Sequence, residues 1–453
     1  MDFATIQISL NSDDPAERRE TAENLLSEEI NLEIAKALVA KMTDTDKGVR
    51  DAISMTLAYN DFETIPELVV PFISSEEISV RNLAGEILVR RGLNSIPAMM
   101  KYLRTSDDDD QKFIIDIFAL IGDDAPVEMV KNILIETQNE NVALACIEAL
   151  GSMKAEGAIE ELKKAFDKNE LYRPTIAETF GKIGSASALE FLIERYDEID
   201  ELSRFSVLES FGEIGDQQTF YFILSKLKNA QPPLNWAIVS SLNALKDRLG
   251  LEIPFDETTK HAILNTLTEA DLKYRQSAAS LLTLYRDSEV LNACINAYGS
   301  DPEIDGNLQA ILIEQPSMFY TQLIDKLRQT QHNLRSLLEL LKQTLDMDGG
   351  EGLKTLGGLE LHNLTERLSE CLTNPNEEVR RFSMELLFTT NRETAFVFLD
   401  TMLSDSNTWN KLLLVDILEQ IEDSRSNDGL RTLAADSEEM IQQRAEWVLS
   451  QRS

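Results

Sequence analysis

The chain of 453 residues carries 79 acidic and 43 basic side chains, a formal net charge of -36, and such a field repels phosphate backbones and anionic membrane surfaces, which argues against nucleic acid or membrane as a partner. Aromatic residues are only 7% of the sequence and no long alternating pattern suggests strands, so an aliphatic, helical core is expected. The three cysteines, Cys146, Cys294 and Cys371, are odd in number and far apart, which argues against a disulfide framework and for a reducing, cytoplasmic setting; no signal peptide or membrane-length apolar run is read.

In chain order, the first 30 residues read as a cap, with an entry turn at Asp14-Pro15 followed by Arg18, Ala22 and Leu25. Units of two helical patterns around a polar turn then bracket at roughly 31–61, 62–92, 93–123, 124–155, 156–185, 186–216 and 217–250. The repeat is plainest where Phe180-Gly181-Lys182-Ile183-Gly184-Ser185 recurs about 31 residues later as Phe211-Gly212-Glu213-Ile214-Gly215-Asp216. Leu150-Gly151-Ser152-Met153 is a looser copy one unit earlier. A fixed period of this kind marks a stacked helical solenoid.

The second helix of each unit sets the register. Its last apolar seam residue is Leu57, Leu88, Phe118, Leu150, Phe180, Phe211, Leu242, Leu282 and Leu387, with two shorter units before Leu387 unassigned. Four residues earlier stand Ile53, Ala84, Ile114, Cys146, Ile176, Val207, Ile238, Ala278 and Ser383. Residues four apart share a helix face, so these columns form one packed seam. Eight before the seam the residue is apolar in most units, as in Val49, Val80 and Val142, and polar where it can cap, as in Asp110 and Ser203.

After residue 250 the array loosens, since Pro254 within Leu251–Asp256 cannot continue a helix. Units resume near 258–288 and 289–316, and a longer helical pair fills 317–345. The stretch 346–358 contains Gly349, Gly350, Gly352, Gly357 and Gly358 and reads as a hinge or long loop. Its spacing is wrong for a phosphate loop, and no Lys-Ser or Lys-Thr ends it. The chain therefore divides into a regular array with a cap (1–250), irregular units (251–345), the glycine segment (346–358) and closing units with a second cap (359–453). Trp236, Trp409 and Trp447 read as packing residues.

Just after the eighth position before the seam, Arg50, Arg81, Arg173, Arg204, Arg275 and Arg380 recur, with Arg18 in the equivalent place in the cap. Here the sequence resembles the HEAT-repeat family, and more closely the bacterial branch named for phycobilisome lyase subunits. The resemblance is carried by Val49-Arg50 with Ala52, Val80-Arg81 with Ala84, Glu148-Ala149-Leu150-Gly151 and Ile214-Gly215-Asp216. It implies an all-α, right-handed α-solenoid of about 12 to 13 HEAT-like hairpins, in which the arginines brace an acidic turn of a neighbouring unit.

One polar column stands out. Two residues before the seam lie Glu86, Asp116, Glu148, Glu178 and Glu209, and later Glu385. At about 100° per residue this position points away from the apolar face. Successive units would then line one surface with a ladder of carboxylates that favours a basic helix or tail. The alternative is a solvated face, because Glu is a good helix former and acids are abundant. The run Asp107–Asp110 reads as a helix-start turn rather than a cation site, since its ligands lack the spacing of a calcium loop. The HEAT-repeat hydroxylases need His-Glu pairs, whereas His261, His332 and His362 are followed by Ala262, Asn333 and Asn363.

No metal, cofactor or catalytic residue is expected. The reading is a non-enzymatic scaffold or adaptor for a protein partner. The alternatives are a phycobilin lyase or phycobiliprotein-handling chaperone, as the resemblance implies, and a signalling adaptor.

Overall fold

A computed structural model describes residues 3–254, 256–285, 287–313, 316–330 and 333–452. Phe255, within the interruption Leu251–Asp256, and His332 lie outside them. Among the described residues every regular element is a helix, and the helices pair into fourteen hairpins, the amino-terminal cap included. These hairpins form two compact units, residues 1–226 with 244–251 and residues 227–243 with 252–453.

Several of the second helices begin in register because a short polar side chain stands eleven residues before the seam. Asp46, Asp107, Asn139, Asp200, Asn376 and Asn407 each sit in extended backbone and accept a hydrogen bond from an amide in the first helical turn. The distances for Asp46 to Val49 and Asp200 to Ser203 are both 3.0 Å. Such caps satisfy amides that have no partner within the helix. At the other end, Gly122 and Gly184 close their helices at φ +72° and +78°, the left-handed conformation that costs glycine least. Asp107–Asp110 is the start of the helix Asp108–Ile121, with Asp107 as its cap.

Between these ends the seam is buried. Leu57, Leu88, Phe118, Leu150, Phe180, Phe211, Leu282 and Leu387 are fully enclosed, as are the residues four before them. The structure also supplies the register of the two unassigned units, through Ile304, Leu308 and Leu312 and through Leu337, Leu341 and Leu345, all buried. Cys146 lies inside this seam, where burial pushes its thiol up to about 12 and keeps it protonated.

In each unit, first helices pack on first helices and second on second, giving two layers. Within the first unit the second helices approach one another more closely, the geometry of the inner side of a curved stack. Glycine permits that approach where backbone faces backbone: a Cβ at Gly151 would meet Thr179 Cα at 3.3 Å.

The glycine segment belongs to the second unit and is tied down. Asp348 accepts from the amides of Gly350 and Gly352 at 2.8 and 3.0 Å and from the Tyr320 hydroxyl at 2.6 Å. A short 3-10 turn, Glu351–Thr355, then leads to the helix Gly358–Cys371.

Candidate protein-binding face

Each recurrent arginine faces a turn rather than the open surface of its helix. Arg18 makes a two-pronged pair with Asp44 of the next hairpin, at 2.9 and 2.7 Å, and donates to its own turn at Ser12 O. Arg380 repeats this near the far end, reaching both oxygens of Asp405 at 2.8 Å and Asn374 O at 2.9 Å. Arg50 donates to Asp44 O at 2.6 Å, and Arg204 to Tyr196 O at 3.0 Å. Arg81 lies 3.8 Å from Asp110, Arg173 lies 3.8 Å from Asp200, and Arg275 donates to Ser300 Oγ at 3.0 Å. The planar fork of arginine suits this double task of bridging a carboxylate while satisfying turn carbonyls.

Those pairs shift the acids. Burial pushes the Asp405 carboxyl up, but hydrogen bonds from Arg380, the Asn407 amide and Asn410 outweigh it and hold the group below its ordinary value. Asp44 follows the same pattern, with burial opposed by Arg18 and the Asp46 amide.

The carboxylate column lies on the second helices of the first unit from Ile78–Arg91 to Glu201–Ile214. Glu86, Glu148 and Glu178 are exposed, while Asp116 and Glu209 are half-buried. Several are answered by cations on their own helix: Glu86 by Arg90 at 2.6 Å, Asp116 by Lys112 at 2.7 Å and Glu178 by Lys182 at 2.8 Å. No Lys or Arg lies within 4.0 Å of Glu148 among the described residues. Glu385 belongs to the second unit and lies 3.5 Å from Lys342. The local field of the column is thus weaker than the count of acids suggests, because exposed pairs four residues apart are partly neutral at a distance.

Two features of this layer escape a reading of charge alone. One residue before the seam, Thr56, Thr179 and Ser210 donate to the carbonyls of Ala22, Ile147 and Ala177 on the preceding second helix, at 2.7, 3.1 and 2.6 Å. These acceptors also keep one register, three before their own seam residue, so the hydroxyls fix the sliding of one helix on the next. The signal in the sequence was a small hydroxyl residue beside the seam in these units.

The second feature is apolar. Met55, Tyr59, Leu120, Leu171 and Leu202 are exposed by 44 to 72%, on the same face as the carboxylates. They stand two or nine residues before the seam or two after it, positions that share a helix face. In the second unit Trp409 and Trp447 are 70% and 51% exposed, which corrects the expectation that they are packing residues. They occupy the outward register of their helices, so the seam had no place for them.

Among the described residues no group of three or more His, Cys, Asp or Glu side chains is arranged to hold a metal. No helix among them is long and apolar enough to cross a membrane.

Residues 96–172 and 127–211 match the family of HEAT repeats. These matches cover the hairpins where the sequence repeat is plainest. No curated protein matches the chain. Among solved structures, that of Kap95p with RanGDP is 14% identical, covers 99% of this chain and 72% of its own, and superposes with a TM-score of 0.51. Yeast importin-beta (Kap95p) is 13% identical, with coverage of 99% and 76% and a TM-score of 0.47. The chain is an all-α solenoid of HEAT-like hairpins. Identities this low establish the fold alone.

Proposed function

We propose that the chain is a non-enzymatic scaffold or adaptor that holds a protein partner along the second-helix face of its first unit. The observation that carries this reading is the repetition of one outward position through five consecutive second helices as Glu86, Asp116, Glu148, Glu178 and Glu209. Apolar residues stand beside them on the same face. A partner segment with lysine or arginine would gain steering from the acids, while Tyr59 and Leu120 give it apolar surface to bury. Kap95p, of the same fold, binds the protein RanGDP. A cytoplasmic location accords with three buried free thiols.

The test is an affinity capture from native cell extract at low and moderate salt, with mass-spectrometric identification and a visible spectrum of the eluate. A colourless eluate with one salt-sensitive protein, lost when Glu148, Glu178 and Glu209 are changed to Lys, supports the scaffold. A coloured eluate carrying phycobiliprotein subunits supports the lyase or chaperone reading instead, and a capture indifferent to the three changes removes the ladder.

A further inference from the structure

The last two second helices of the second unit, Thr408–Glu419 and Glu439–Gln451, pack side by side. Trp409 and Met440 stand nine residues before Leu418 and Leu449, so they hold the same register on adjacent helices. Met440 and Trp447 are seven residues apart, which returns them to one face. All three are more than half exposed, at 70, 56 and 51%. Packed helix axes lie about 8–10 Å apart and seven residues rise about 10 Å, so these side chains mark a patch about 10 Å on a side.

Arg444 lies within this patch and is fully engaged. Its guanidinium is 2.8 Å from Asp416 and 2.5 Å from Glu419, and it sits 4.8 Å from the centre of the Trp447 ring. The neighbouring cations are engaged as well. Lys411 pairs with Asp436 at 2.7 Å, and Arg452 donates to Leu418 O at 2.6 Å. By contrast, Glu438, Glu439 and Glu446 are exposed and have no Lys or Arg within 4.0 Å among the described residues. The patch is therefore apolar and aromatic at its centre and acidic, without counter-charge, at its rim.

We propose that this face is a second docking site, separate from the carboxylate column of the first unit, and that its occupant is an amphipathic helix with lysine or arginine flanking its apolar stripe. The spacing of the anchors matches residues seven apart on such a helix, and the uncompensated rim calls for cations on its flanks. Exposed tryptophan beside a held guanidinium is the composition that concentrates binding energy.

The probe is a synthetic, fluorescein-labelled Leu/Lys amphipathic helix of about two heptads, whose affinity for the full chain is read from the anisotropy of the label while tryptophan emission and its quenching by iodide are followed wherever Trp409 and Trp447 are present. A Leu/Glu helix of the same pattern is the control. The expected result is a blue shift and reduced quenching with the Leu/Lys helix, with binding about tenfold weaker for the W409A/W447A variant and for the Leu/Glu helix. Because both tryptophans are exposed, the variant should keep the circular dichroism of the parent. E148K/E178K/E209K should retain the emission change, so loss of the ladder leaves this site standing. Parental affinity in W409A/W447A, or loss of the emission change in the ladder variant, would overturn the proposal. So would a dimer seen by sedimentation that W409A/W447A abolishes, since a second copy would then cover the face.

Discussion

The arginine column shows how a single residue can serve two hairpins at once. Arg380 is held between Asp405 of the following hairpin and carbonyls of its own turn, and the side chains of the pair are only 12% and 3% exposed. Breaking a buried pair leaves an uncompensated charge, so D405N should lower stability by about 3 kcal/mol near neutral pH, read as a shift in urea unfolding. The pH dependence has a definite sign. The folded Asp405 carboxyl lies below its ordinary value, so its contribution is present above the unfolded pKa of 3.8 and is lost as pH falls through the folded value. The difference between parent and D405N should therefore narrow in acid, and a gap that stays constant into strong acid would contradict the assignment. The bridging hydroxyls contribute less. Thr179 donates to a carbonyl in the preceding helix, so T179V should cost about 1 kcal/mol in the same assay.

At the scale of the helix and its turns, the seam was legible in the sequence because it repeats with the period of the fold, whereas the caps lie three residues before the expected Asp110 and Ser203: Asp107 and Asp200 cap the helices, and Asp110 and Ser203 supply the first-turn amides they accept from. Phe180, Phe211 and the Ile-Gly endings could be read directly, since burial and helix termination each demand particular residue types. The exposure of Trp409 and Trp447 was missed because the seam was not carried past Leu387; with Leu418 and Leu449 placed in it, both tryptophans fall in the outward register. The ladder positions could be placed on a face, but not their pairing with Arg90, Lys112 and Lys182, which depends on rotamers. The glycine segment had an ambiguity of another kind: composition alone reads as hinge or loop, whereas Gly352 is needed because a Cβ there would sit 1.7 Å from the buried ring of Tyr320. G352A should cost about 3 kcal/mol through overpacking. G350A, at φ +79° with open space around it, should cost only the ~1–2 kcal/mol of a left-handed residue. Equal losses for the two variants in thermal unfolding would show that the Tyr320 contact does not set the loop.

At the scale of the whole molecule, a net charge of -36 has two consequences that must be separated. It attracts any cation from a distance, and it places some carboxylates where a partner would touch them. Only the second depends on the fold. The same three hairpins offer a control, because Glu128, Glu160 and Glu190 are exposed on the first helices Val127–Glu136, Ile159–Lys168 and Ala186–Arg195. Reversing them alters net charge by the same amount as reversing Glu148, Glu178 and Glu209 on the second helices. The decisive measurement is the affinity of a lysine-rich peptide for the parent, E148K/E178K/E209K and E128K/E160K/E190K across a salt series. The second-helix variant should bind about tenfold more weakly, with a shallower salt dependence, and the first-helix variant should stay close to the parent. Equal weakening in both variants would contradict it, since attraction would then follow total charge and the second-helix face would have no special part.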